Sequence, residues 1–191
     1  MNAVAFNGSP RKGGNTEILI KKVLAELEAE GIGTELVQIG GKALRGCVAC
    51  MKCVERKNKQ CAIESDDMNK YIKKALEADI IILGSPTYFS DVSSEMKALI
   101  DRLGFVSRMG GNLLQNKIGV AVVAVRRGGA THTFDTMNHL FQISSMIIVG
   151  STYWNFGLGR EKGEVENDKE AMENMADLGK RIAWLAKKIK V

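Results

Sequence analysis

Residues 3–16 read Ala-Val-Ala-Phe-Asn-Gly-Ser-Pro-Arg-Lys-Gly-Gly-Asn-Thr, and apolar residues at helical spacing follow at Ile18, Leu19, Val23, Leu24 and Leu27. Ala3 to Phe6 is a short buried strand that stops at Asn7-Gly8-Ser9-Pro10. Asn15 or Thr16 is suited to cap the helix that comes next, which ends near Gly31. The same alternation extends outward from this unit. A second strand is expected at Glu35–Ile39, then a helix opened by Ser65 and Asp66 and running to Ala78. A third strand, Ile80–Leu83, breaks at Gly84-Ser85-Pro86, and a helix from about Ser93 to Leu103 leads to Gly110-Gly111. The fourth strand, Ile118–Val125, ends at Arg126-Arg127-Gly128-Gly129; a helix from about His132 to Gln142 and a fifth strand, Met146–Val149, follow. An amphipathic helix from about Asn167 to Lys190 closes the chain, with Met172, Met175, Leu178, Ile182, Leu185 and Ile189 as its buried stripe. The pattern predicts an α/β fold: a doubly wound, five-stranded parallel sheet with helices on both faces. Right-handed crossovers put the loops after strands one, three and four at one edge, where such folds bind ligands.

With 191 residues, 45% hydrophobic and 26% charged, the chain is expected to be one domain spanning 1–191. Its longest apolar runs are too short to cross a bilayer. The opening MNAVAFNGSP has no signal-peptide pattern, so a cytoplasmic location is expected. The net charge of +5 is modest, and the basic residues are dispersed apart from loose groups at Lys52, Arg56, Lys57 and Lys59 and at the C-terminal end. That distribution points to a solvated surface with some attraction for anionic cofactors or acidic partners, and away from nucleic acid.

Gly8 to Thr16 joins a strand to a helix N-terminus, where unpaired backbone N–H groups and the dipole suit a phosphate. Ser9, Asn15 and Thr16 add neutral donors and Arg11 adds charge. A Walker A loop would need Lys after its second glycine, and a dinucleotide loop would need G-x-G-x-x-G; neither is present. A terminal phosphate monoester, as in FMN, suits the loop; the plainer reading is a glycine-rich turn with a helix cap. Gly-Ser-Pro-Arg followed by Asn-Thr, together with Gly-Ser-Pro-Thr-Tyr-Phe-Ser at 84–90, resembles the NADPH-dependent FMN reductase family of flavodoxin-like proteins. The resemblance implies that Ser9, Arg11, Asn15 and Thr16 hold the FMN phosphate. It also implies that Pro86, Thr87, Tyr88, Phe89 and Ser90 lie against the isoalloxazine.

Physically, the stretch from Pro86 to Asp91 suits a flat ring, since proline fixes the turn and aromatic faces cover the ring. The alternative, Tyr88 and Phe89 as plain core residues, is weighed against by their place in a loop just after Pro86. Gly128 and its neighbour let the next loop approach the ring edge, with Arg126 or Arg127 near the reduced flavin's charge or simply at the surface. Tyr153-Trp154-Asn155-Phe156-Gly157 suits either a flavin cover or an interface, and His132 and His139 read as structural.

The four cysteines all lie in the segment 43–63, the insertion expected after strand two, as Cys47-x2-Cys50-x2-Cys53-x7-Cys61. In a reducing compartment this compression points to a metal site. Three cysteines in two consecutive C-x2-C steps wrap three corners of a [4Fe–4S] cubane and a fourth thiolate closes it. Structural zinc favours two separated knuckles; zinc and free thiols remain the alternatives. Within this fold the motif resembles the iron–sulfur flavoproteins of anaerobic archaea and bacteria. That resemblance implies FMN plus one [4Fe–4S] cluster per chain, in a homodimer or homotetramer that brings cluster and flavin of adjacent subunits close. The basic spacer Glu55–Gln60 departs from the pattern and reads as a solvated loop that receives an acidic redox partner. The expected function is electron transfer from a ferredoxin-like donor through cluster and FMN to a small acceptor, with no protein acid or base assigned. The alternatives are an NAD(P)H-dependent FMN or quinone reductase and a non-enzymatic domain with structural zinc.

Overall fold

The computed structural model describes residues 1–189. All eight residues of β4 (Ile118–Val125) are buried, as a central parallel strand covered on both faces must be. Around it lie β1 (Asn2–Asn7), β2 (Gly33–Gln38) and β3 (Ile80–Pro86), with the short β5 (Ile147–Ile148) and β6 (Phe156–Leu158). Every pairing is parallel and the order is β2-β1-β3-β4-β5, with β6 also on β4. This is the flavodoxin-like order.

Alternate residues of each strand feed opposite cores. Val4, Phe6, Ile81, Leu83, Ala121 and Val123 face α3 (Met68–Glu77), α4 (Ser94–Met109) and α5 (Ala130–Ile143). Ala3, Ala5, Ile80, Ile82, Val120 and Val122 face α1 (Asn15–Ala29) and α6 (Lys169–Ile189). Among the described residues, no helix is long and apolar enough to cross a membrane.

The sequence pattern misplaced some details. The sheet has six strands, because the fifth position is divided: β5 pairs with Ile118 and Gly119, while β6 pairs with Val123 to Val125. A three-residue strand containing Gly157 carries no period-2 signal to read. The five-residue helix α2 (Lys52–Arg56) was hidden inside the cysteine spacing, and α4 runs to Met109 rather than Leu103. Gly104 does not stop α4; a Cβ there would sit 3.1 Å from Leu140 Cδ1, so the glycine permits close packing on α5. The α1 N-cap is Gly14, with Asn15 and Thr16 already inside the helix. On α6, Ile189 is exposed rather than part of the buried stripe, and the expected end at Lys190 lies outside the described residues.

Hydrogen bonds from Gln38 and to Asn7 fix the β1–α1 loop from below. Gln38 Nε2 donates to the carbonyls of Ser9 (2.6 Å) and Gly40 (2.8 Å), and Ser9 N donates to Asn7 Oδ1 (3.0 Å). Gly40 passes so close beneath the loop that a Cβ would lie 2.3 Å from the carbonyl carbon of Ser9 and 2.5 Å from Gly8 O. Inside the loop, Gly13 N donates to Glu17 Oε2 (2.6 Å), whose other oxygen pairs with Lys21. Burial pushes the Glu17 carboxyl up, but the bonds from Lys21 and Gly13 outweigh it and hold it below the usual range.

Gly40→Ala is expected to lower stability by about 1–3 kcal/mol, because backbone, not a flexible side chain, must move. The readout is a lower urea midpoint at unchanged m; a wild-type midpoint would show the loop free to shift. Glu17 contributes stability above the unfolded carboxyl value of about 4.3, and this is lost as pH falls through its lower folded value. The stability gap between the wild type and Glu17→Gln should therefore close from pH 7 to pH 3, and a gap indifferent to pH would contradict this.

Candidate functional site

The ends of β1, β3 and β4 meet at a cleft of about 280 Å³ lined by Ser9, Arg11, Asn15, Thr16, Pro86, Thr87, Tyr88 and Arg126. One end of the cleft is rich in cations and hydrogen-bond donors, with Ser9, Arg11, Asn15, Thr16, Arg160 and Lys162 in its lining. Gly14 has no side chain to cap α1, so the first-turn amides keep no intrahelical partner. Ser9 and Thr16 are buried beside them. Asn15 is placed differently from a free ligand: Nδ2 donates to Glu161 O (2.9 Å), while Oδ1 accepts from Gly163 N (2.9 Å). Arg11 Nη1 donates to Arg160 O (3.1 Å). Both side chains thus tie residues 159–163 over the loop, and this strap adds Gly159, Arg160 and Lys162 to the cleft. The strap escaped sequence reading because it lies far along the chain; only its position after an aromatic segment hinted at it.

The other end is flat. Thr87 N donates to Ala124 O (2.9 Å), which fastens the β3 loop to β4. Tyr88 and Asp91 exchange backbone bonds of 2.8 and 3.0 Å around Phe89 and Ser90, whose φ values are 49° and 64°. Two successive left-handed residues define a type I′ turn, rare without glycine or asparagine. Tyr88 borders the cleft, whereas Phe89 is fully exposed, at 106%, and neither it nor Ser90, Asp91 or Gly128 lines the cleft. Asp91 instead brackets the turn to α5: Oδ1 accepts from Thr136 Oγ1 (2.7 Å) and from Val92 N (2.7 Å). Burial alone would raise its carboxyl, but those bonds hold it below the usual range. Close approach falls on Gly129, not Gly128: at φ 87° its Cβ would lie 2.6 Å from Ser90 Oγ, while a Cβ on Gly128 meets nothing within 4 Å. Tyr153 and Trp154 are half exposed and pack with Phe156 away from the cleft, with Trp154 and Phe156 stacked at 6.2 Å. His132 and His139 are exposed on α5.

Cys47, Cys50, Cys53 and Cys61 line a second pocket against Arg102, Phe105 and Val106 of α4. Its free space is only about 20 Å³, room for a water and not for an organic ligand. Ala49 and Met51 adopt φ of 50° and 59°, so the backbone reverses between successive cysteines without a glycine to ease it. Burial raises the Cys53 thiol, its own and Val54's amides lower it, and the neighbouring Cys61 and Cys50 raise it further. Among the described residues, no three His, Cys, Asp or Glu side chains converge on a single metal ion. Cys61 is pinned on both sides: its N donates to Asn69 Oδ1 (2.8 Å), and Asn69 Nδ2 donates to its carbonyl (2.9 Å).

Residues 1–161 match the family model of the NADPH-dependent FMN reductases. An iron–sulfur flavoprotein of Methanocaldococcus jannaschii is 40% identical over 202 residues, covering all of both chains. An iron–sulfur flavoprotein of Methanosarcina thermophila is 33% identical over 184 residues, 95% of this chain and 93% of that one. Among solved structures, RosB superposes with a TM-score of 0.75 at 18% identity, over 100% of this chain and 80% of its own, a likeness of fold alone. A phosphate-type loop, a flat-walled cleft beside it and full-length relatives of this kind agree: the chain belongs to the NADPH-dependent FMN reductase family, among its iron–sulfur flavoproteins, and is an oxidoreductase.

Proposed function

We propose that the chain binds FMN in the cleft and a [4Fe–4S] cluster on the four cysteines, and transfers electrons from a ferredoxin-like donor to a small acceptor. The observation that carries this reading is the division of one sheet edge into an anion-binding end and a flat end, with a separate thiol pocket nearby. Ser9, Thr16 and the open amides of α1 would hold the phosphate, with Arg11, Arg160 and Lys162 balancing its charge. Pro86, Thr87 and Tyr88 would lie along the ring, and Arg126 would stabilise negative charge at its edge. Phe89, Ser90, Asp91 and Gly128 lie outside the cleft, with Asp91 closing the turn after Tyr88. The thiol set fits a cluster better than zinc. Three of the four thiols bordering the pocket come from one short stretch whose backbone is already reversed between them, where structural zinc favours two separated knuckles.

When bound, FMN exchanges electrons singly or in pairs and the cluster exchanges them singly, so together they link one-electron and two-electron carriers. The protein's part is to hold both, keep the ring face open and present the cysteine pocket to a donor. Lys52, Arg56, Lys57 and Lys59, all exposed and between Cys50 and Cys61 in the chain, suit an acidic redox protein. Exposed Met109 and Ile143 at the α4–α5 groove suit the packing of a second copy, as a dimer or tetramer requires. A second reading has NAD(P)H reduce the flavin directly. The extra cations of the strap favour it, because they exceed what one phosphate monoester needs.

Released cofactor is expected to be FMN rather than FAD by mass spectrometry, and Ser9→Ala with Thr16→Ala should weaken its binding by about 1–3 kcal/mol. Unchanged affinity would place the phosphate elsewhere. Stopped-flow reduction of the anaerobic protein decides the donor. Reduced ferredoxin should reduce the flavin faster than NADPH or NADH, with a rate that falls in salt, and replacing any one cysteine by Ala should abolish that route while FMN stays bound. Equally fast reduction of such a variant by NAD(P)H would establish the second reading, and zinc in place of iron would remove the cluster.

A further inference from the structure

Arg102 is an internal residue of α4 whose side chain is wholly enclosed, and all its polar contacts go to the cysteine segment or its flank. Nη1 donates to Arg45 O (3.0 Å) and to Asp66 Oδ2 (2.5 Å), Nη2 donates to Ile63 O (2.8 Å), and Nε donates to Cys61 Sγ (3.2 Å). Arg45 lies just before Cys47 and Ile63 just after Cys61, so one guanidinium fastens both ends of the segment. Asp66 completes the unit by accepting from Arg45 N (3.0 Å) and Met68 N (3.2 Å).

A buried ion pair is weak support for stability, since well-packed apolar residues often serve as well. What an apolar pair would not provide is a fixed cationic donor aimed at a sulfur. Hydrogen bonds to the ligand sulfurs and nearby positive charge stabilise the reduced form of an iron–sulfur centre and raise its potential. Arg suits this task better than Lys, because its rigid fork meets a carboxylate, two carbonyls and a sulfur at once.

We propose that Arg102 is a positioning residue of the cysteine site that sets the electron affinity of the cluster through its Nε–H···Sγ bond to Cys61, with Asp66 moderating the charge it brings. This rests on the cluster reading above. It gives the two members of the pair opposite effects, which a purely structural clamp would not.

The test is an anaerobic redox titration of the iron-loaded, FMN-bound protein, followed by electron paramagnetic resonance. Arg102→Lys keeps the charge but loses the fork, so the cluster should become at least tenfold harder to reduce, about 59 mV for a one-electron couple. Asp66→Asn removes the moderating charge and should shift the potential upward, with the FMN potentials unchanged in both. Cluster potentials at the wild-type value in either variant would overturn the proposal. Should a variant fail to fold, wild-type protein labelled with 15N-arginine decides: the reduced cluster should show a nitrogen coupling in pulsed resonance, and its absence overturns the assignment. Wild-type protein that takes up no iron would remove the cluster reading itself, an outcome distinct from a loaded cluster with unmoved potentials.

Discussion

Parallel pairing holds the C-terminal ends of three strands level, and the whole ligand edge depends on that register. Asn7 is opposite Gly84, and Pro86 is opposite Ala124, so the loops after β1, β3 and β4 leave the sheet at matched heights. Parallel strands need crossovers, and right-handed crossovers leave those loops on one edge without further instruction. The hydrogen bonds that join the loops, Gly8 N to Gly84 O and Thr87 N to Ala124 O, continue the ladder beyond the strands themselves. A shift of one residue in β1 would exchange the faces of Val4 and Phe6 with those of Ala3 and Ala5, which the two separate cores forbid.

Helix α4 joins the two sites. Ser93 caps it with a hydroxyl that accepts from Met96 N (3.3 Å), and the Ser93 amide donates to Ser85 Oγ (3.0 Å) at the end of β3. Nine residues on, or about 14 Å along the axis at 1.5 Å per residue, Arg102 reaches the cysteine segment. A single rigid element therefore fixes the spacing between the flat end of the cleft and the thiol pocket. The pocket owes its shape to α4 more than to α2, which is one turn long and buries none of its own residues.

What the sequence made legible was local in the chain. Ser9, Arg11, Asn15 and Thr16 fall in one loop between a strand and a helix, and the cysteines declare themselves by spacing. What stayed hidden depended on contacts between distant segments. Asn15 had the chemistry of a phosphate donor, but the approach of residues 161–163 engages its amide, and no local pattern announces that approach. Gly128 and Gly129 are indistinguishable as a dipeptide; only the proximity of Ser90 separates them. Arg102 carries no signal in the sequence, and nothing short of the fold shows its side chain turned inward. The divided edge position of β5 and β6 escaped for a simpler reason, since strands of two and three residues carry too little alternation to detect.

The left-handed pair at Phe89 and Ser90 also has a consequence for hydration. Held at φ 49° and closed by paired bonds between Tyr88 and Asp91, the turn carries its phenyl ring outward. The ring therefore stands in water over its entire surface, an arrangement less favourable than burial by about 1.5–3 kcal/mol. Any surface that settles over this edge of the molecule recovers that free energy without reorganising the loop, so the turn lends adhesiveness to the rim of the cleft while leaving the cleft itself open.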